Sequence, residues 1–102
     1  MNFGLRPKEL ETLRAIFQRF SSITEVRIFG SRATGNSRRA SDIDLAIQAP
    51  GMTPSEWGDL SDALENAPII YELDVVRADQ LGSGSLLKKI QEQGIVFYKS
   101  TN

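Results

Sequence analysis

The chain has 102 residues, 40% hydrophobic and 25% charged, with a formal net charge of −1. That size fits one domain with a modest core, and that charge argues against broad, sequence-blind binding to nucleic acid. The chain contains neither cysteine nor histidine, which excludes a zinc site of the usual His/Cys kind, a His-based triad and an imidazole general base.

Any chemistry therefore falls to carboxylates, hydroxyls, Lys, Arg or a hard metal ion. No apolar run approaches a membrane span, so no membrane partner is expected and the cytoplasm is the expected location. Residues 7 to 20 predict an amphipathic helix: Pro7 suits its first turn, and Leu10, Leu13, Ile16, Phe17 and Phe20 fall at helical spacing. Residues 25 to 30, "EVRIFG", predict a short strand stopping at Gly30, and residues 31 to 36 a helical turn or short helix. Residues 42 to 48, "DIDLAIQ", alternate, with Ile43, Leu45 and Ile47 on one face and Asp42, Asp44 and Ala46 on the other. "TPSE" from Thr53 is a capping box that opens a helix to about Asn66, with Trp57, Leu60 and Leu64 inward. Residues 69 to 77, "IIYELDVVR", predict a strand with Glu72 and Asp74 on one face. Residues 86 to 93 predict a helix with Leu86, Leu87 and Ile90 inward, and "IVFY" from Ile95 a last strand. The expectation is an α/β (α+β) domain with a small sheet and helices on one face.

If the second and third strands both turn their apolar faces to the helices, Asp42, Asp44 and Asp74 converge on the open side; a one-residue slip would scatter them. Carboxylates at i and i+2 of a strand point the same way, with Cα atoms about 6 to 7 Å apart. Such a pair can clamp Mg²⁺, which takes one or two carboxylates and completes its shell with water and phosphate oxygens. A third carboxylate can share a second ion, and two ions can stabilise the attacking and leaving oxygens of a phosphoryl displacement. Alone, an Asp-x-Asp is more simply a solvated strand face. An EF-hand does not fit, because Ile43 and Leu45 interrupt it and its glycine is missing.

Gly30-Ser31 ends a strand and starts a helical turn, which aims backbone N–H groups at an anion; the plainer alternative is a turn with Ser31 as a cap. Gly30 and Gly35 have the outer spacing of a P-loop, but Asn36 stands where its lysine is required. Arg27, Arg32, Arg38 and Arg39 make residues 26 to 41 basic. This suits a triphosphate, and it also suits a solvated loop.

Taken together, Gly-Ser, ten residues, Asp-x-Asp on an apolar strand and a distal Asp resemble the nucleotidyltransferase superfamily that includes DNA polymerase β and kanamycin nucleotidyltransferase. "GSRATG" and "SDIDL" resemble its minimal nucleotidyltransferase (MNT) branch. The resemblance implies a polymerase β-like fold with a small mixed sheet and helices on one face, and transfer of a nucleoside monophosphate, AMP from ATP, to a hydroxyl. Asp42 and Asp44 would bind Mg²⁺, with two ions expected, and Asp74 would complete the catalytic and metal-binding set, with Glu72 in reserve. Gly30, Ser31 and Arg32 would hold the nucleotide phosphates. It further implies a helical HEPN-type partner, an RNase toxin modified with AMP on a tyrosine, for which this chain acts as antitoxin. Rival expectations are an inert module that neutralises a partner by contact, a small-molecule nucleotidyltransferase, and a purely structural domain.

Overall fold

The apolar positions of the first helix and the central strand determine how the layers pack. A computed structural model of the chain describes residues 3–34 and 42–100. Helix α1 (Pro7–Gln18) buries Leu10, Leu13, Ile16 and Phe17, the helical stripe read from the sequence. Its start is fixed by Glu9, whose carboxylate accepts the Arg6 N–H at 2.9 Å. Strand β1 (Glu25–Phe29), the single turn α2 (Ser31–Thr34) and strand β2 (Ile43–Gln48) follow. Helix α3 (Pro54–Glu65) begins with the expected reciprocal box. The Thr53 hydroxyl accepts the Glu56 N–H at 3.1 Å, and the Glu56 carboxylate accepts the Thr53 N–H at 3.1 Å. Strand β3 (Leu73–Arg77), a 3₁₀ turn (Ala78–Gln80), helix α4 (Ser85–Gln93) and strand β4 (Ile95–Lys99) complete the order.

The four strands form one mixed sheet in the order β3-β2-β1-β4. β1 is antiparallel to β2 and β4, while β2 and β3 run parallel, joined by the α3 crossover. Ile43, Leu45 and Ile47 of β2 are fully buried. They pack in one cluster with Leu13 and Phe17 of α1 and Leu60 and Leu64 of α3. The hydrophobic stabilisation therefore lies between the sheet and these two helices.

Two expectations need adjustment. The third strand starts at Leu73 rather than Ile69, because β2 begins at Ile43, which pairs with Leu73. Before it, the Glu72 carbonyl accepts the Ile43 N–H, residues 69–71 pair with no strand among the described residues, and Ile70 is 86% exposed. Helix α4 does not lie with α1 and α3. Its Ile90 packs on Phe29, Ala46 and Ala78 across the opposite face, so helices occupy both faces. That surface is small, which leaves the expected inward residue Leu86 exposed.

Candidate active site

β1 ends at Phe29, and Gly30 follows with φ +75°, a left-handed conformation that side-chain-bearing residues enter only with strain. The chain then turns directly into α2. Phe29 pairs with Asp44, so the turn lies against the Asp44 side chain. A Cβ placed on Gly30 would overlap Asp44 Oδ2 and lie 3.3 Å from its Cγ. Glycine thus supplies both the turn and the space for this carboxylate.

Asp44 pairs in turn with Asp74 across the parallel β2–β3 ladder. Register partners on neighbouring strands point to the same face, with strands about 4.8 Å apart. Both carboxylates therefore leave the face opposite the main core, while Leu45 and Ile47 of β2 face inward. The parity expected from the sequence holds for this pair. Asp42 sits one residue before β2 and is exposed, yet near enough to act electrostatically on Asp44. Glu72 precedes β3, and its carbonyl accepts the Ile43 N–H at 2.9 Å.

The electrostatics follow from this crowding. Partial burial pushes the Asp44 carboxyl above its ordinary pKa, and the negative charges of Asp74 and Asp42 act in the same direction. Lys89 on α4 opposes them. The sequence offered no sign of this lysine's role: it lies far down the chain and reaches the site only because α4 covers the second face.

Arg32 occupies a different place from the one expected. Its guanidinium is buried, the residue being 2% exposed. It donates to the Phe3 carbonyl at 2.8 Å and to the Asp42 carbonyl at 3.3 Å, and it lies 4.6 Å from the centre of the Tyr71 ring. Here it ties the N-terminal segment to the entry of β2. Arg27 pairs with Glu25 at 3.1 Å on β1; Arg38 and Arg39 lie outside the described residues.

The donor set is chemically suited to a hard divalent cation, which favours carboxylate oxygens. A cation would also relieve the like-charge crowding at Asp44. Among the described residues, no three His, Cys, Asp or Glu side chains are grouped so as to hold a metal ion; the in-register Asp44 and Asp74 place two carboxylates on one face. No described helix is long and apolar enough to cross a membrane.

Comparison with known proteins places this geometry in context. The sequence model of the family described as polymerase beta, nucleotidyltransferase matches residues 11–102. No curated protein sequence matches the chain. Among solved structures, a toxin–antitoxin complex with AMP-PNP has a chain that is similar with a TM-score of 0.68 at 19% identity, over 90% of this chain and 74% of that one. The MntA–HpeT toxin–antitoxin, in a mutant with two aspartates changed to glutamate, is similar with a TM-score of 0.64 at 17% identity, over 91% and 74%. A complex of the tri-AMPylated Shewanella oneidensis HEPN toxin with its MNT antitoxin gives a TM-score of 0.56 at 19% identity, over 94% and 74%. At these identities the likeness concerns the fold.

Proposed function

The chain belongs to the polymerase beta nucleotidyltransferase family, and from that membership we propose that it moves AMP from ATP to a hydroxyl of a helical HEPN-type protein, acting as the antitoxin of a toxin–antitoxin pair. The observation that carries the reading is the Asp44–Asp74 register pair set against the Gly30 turn. Similarity to antitoxin complexes that contain AMP-PNP or an AMPylated toxin supports the choice of donor and acceptor.

In the proposed reaction the acceptor hydroxyl oxygen attacks the α-phosphorus. The new O–P bond forms as the bond to the α,β-bridging oxygen breaks, and pyrophosphate leaves. Gly30 and Ser31 hold the departing phosphates through the turn's backbone. Asp74 orients the acceptor hydroxyl and takes its proton. Asp42 and Asp44, with Asp74, would hold Mg²⁺, which when bound supplies charge neutralisation and a lowered acceptor pKa. Arg32 serves by fixing the backbone of Asp42.

The test is to incubate the protein with Mg²⁺, α-labelled ATP and a lysate of its native cell. A labelled protein band that disappears in Asp44→Asn supports adenylyl transfer. A labelled small molecule, or no label at all, rejects it.

A further inference from the structure

The β3 edge of the sheet extends the same row of residues outward. β3 is the terminal strand, and beside it a trough of about 720 Å³ runs between this strand and the end of α3. Leu64 and Glu65 of α3 line one side; Ile70, Glu72, Leu73 and Asp74 line the other. No lysine or arginine lines it among the described residues. Among the described residues its charged groups are Glu65, Glu72 and Asp74, and the last of these is the site's own carboxylate.

The hydrogen-bond pattern fixes which backbone groups face the trough side. Ile43 donates to the Glu72 carbonyl, and Ile43 is the register partner of Leu73. In a parallel ladder this turns the main-chain groups of Glu72 and Asp74 toward β2. Those of Leu73 and Val75 face outward, where no further strand lies among the described residues. An outward row of N–H and C=O groups is a template for an added strand.

We infer that an extended, lysine- or arginine-bearing segment of the acceptor protein docks as a fifth strand on β3, and that this presents its hydroxyl beside Asp74. The inference rests on the adenylyl-transfer reading for the purpose of the docking, though not for the docking itself. Gly30 at the end of β1, Asp44 on β2 and Asp74 on β3 form a row across three adjacent strands. A side chain on the added strand at the level of Asp74, on the same face, is the next member of that row. Donor phosphates at the Gly30 end and an acceptor at the β3 end approach Asp44 from opposite sides, as an in-line displacement requires. The acidic rim selects a basic segment, and exposed Ile70 offers it an apolar contact.

The experiment uses three synthetic peptides with one tyrosine each, flanked by lysines, by serines or by glutamates. Backbone amide NMR and hydrogen exchange of the intact protein read docking without reference to catalysis. The lysine-flanked peptide is expected to shift and protect the Leu73 and Val75 amides, and the glutamate-flanked peptide to leave them unchanged. Val75→Pro removes an outward N–H and no ladder bond. It is expected to weaken peptide binding roughly tenfold while leaving the affinity for a fluorescent ATP analogue intact, and Glu65→Lys is expected to do the same through charge. Unmoved Leu73 and Val75 amides, or equal response to the lysine and glutamate peptides, overturns the docking. Protected amides without label transfer from α-labelled ATP uphold the docking and reject the adenylyl-transfer reading instead.

Discussion

Gly30 leaves open the space that the Asp44 carboxylate occupies: one methyl group on the glycine would overlap Oδ2. The position also carries φ +75°, so Gly30→Ala faces two penalties. The backbone alone costs about 1–2 kcal/mol. Displacement of the carboxylate should further cut adenylyl transfer on the order of 100-fold, the scale expected for a misplacement of about 1 Å at a reacting centre. Urea titration and transfer of α-labelled AMP check the two effects separately. Transfer that falls only as far as the folded fraction does would show that Asp44 tolerates the methyl group.

Asp44 makes stability depend on pH in an identifiable direction. Burial, Asp74 and Asp42 raise its pKa in the folded protein above the ordinary 3.8. The folded state therefore binds the proton more tightly than the unfolded state, and this contribution is complete below the ordinary value. It is lost as pH rises through the raised folded value. Asp44→Asn should be more stable than the parent at neutral pH, with the difference vanishing in acid. Urea midpoints of both proteins from pH 3 to pH 7 test this. Because a divalent cation binds the ionised carboxylate, Mg²⁺ should stabilise the parent increasingly as pH rises across the same window and leave Asp44→Asn nearly unaffected.

The alternation in "DIDLAIQ" reported the β2 faces correctly because period two is a local property, and Ile43, Leu45 and Ile47 indeed lie at zero exposure. The Thr53 cap was legible for the same reason. The start of β3 was not, since strand length depends on the neighbour, and Ile69 and Tyr71 keep a strand-like apolar pattern in partly buried positions without a ladder. Leu86 was misread because helical spacing identifies an apolar stripe but not the size of the surface beneath it. Arg32 stands in a basic stretch and reads as an anion ligand. Its carbonyl partner Phe3 lies 29 positions away, and no local pattern encodes that contact. Parity put Asp44 and Asp74 on one face, but their register across the parallel ladder is a tertiary pairing that parity does not encode.

Arg32→Lys separates a structural role from phosphate binding. Lysine keeps the charge but loses the planar fork that reaches the Phe3 and Asp42 carbonyls and lies over Tyr71. The expected loss is about 1.5–3 kcal/mol of stability, the range for a hydrogen bond to a charged group. Affinity for a fluorescent ATP analogue should change little where the variant remains folded. A variant of unchanged stability with weakened nucleotide binding would instead return Arg32 to the phosphates.

Asp74 and Glu72 share a strand parity, and the structure distinguishes them by register. Asp74 stands opposite Asp44 within the ladder, whereas Glu72 lies before the strand begins. If Asp74 takes the acceptor proton, Asp74→Asn should slow single-turnover transfer on the order of 100-fold or more, and Glu72→Gln should remain close to the parent. A second readout is independent of turnover. Asp74 is the principal charge raising the Asp44 pKa, so Asp74→Asn should bring the Asp44 carboxyl back down toward its ordinary value in an NMR titration. An Asp44 titration unchanged by Asp74→Asn would mean that the two carboxylates do not share one field. The Gly30–Asp44–Asp74 row would then be broken at its outer member, and the acceptor would have to enter elsewhere.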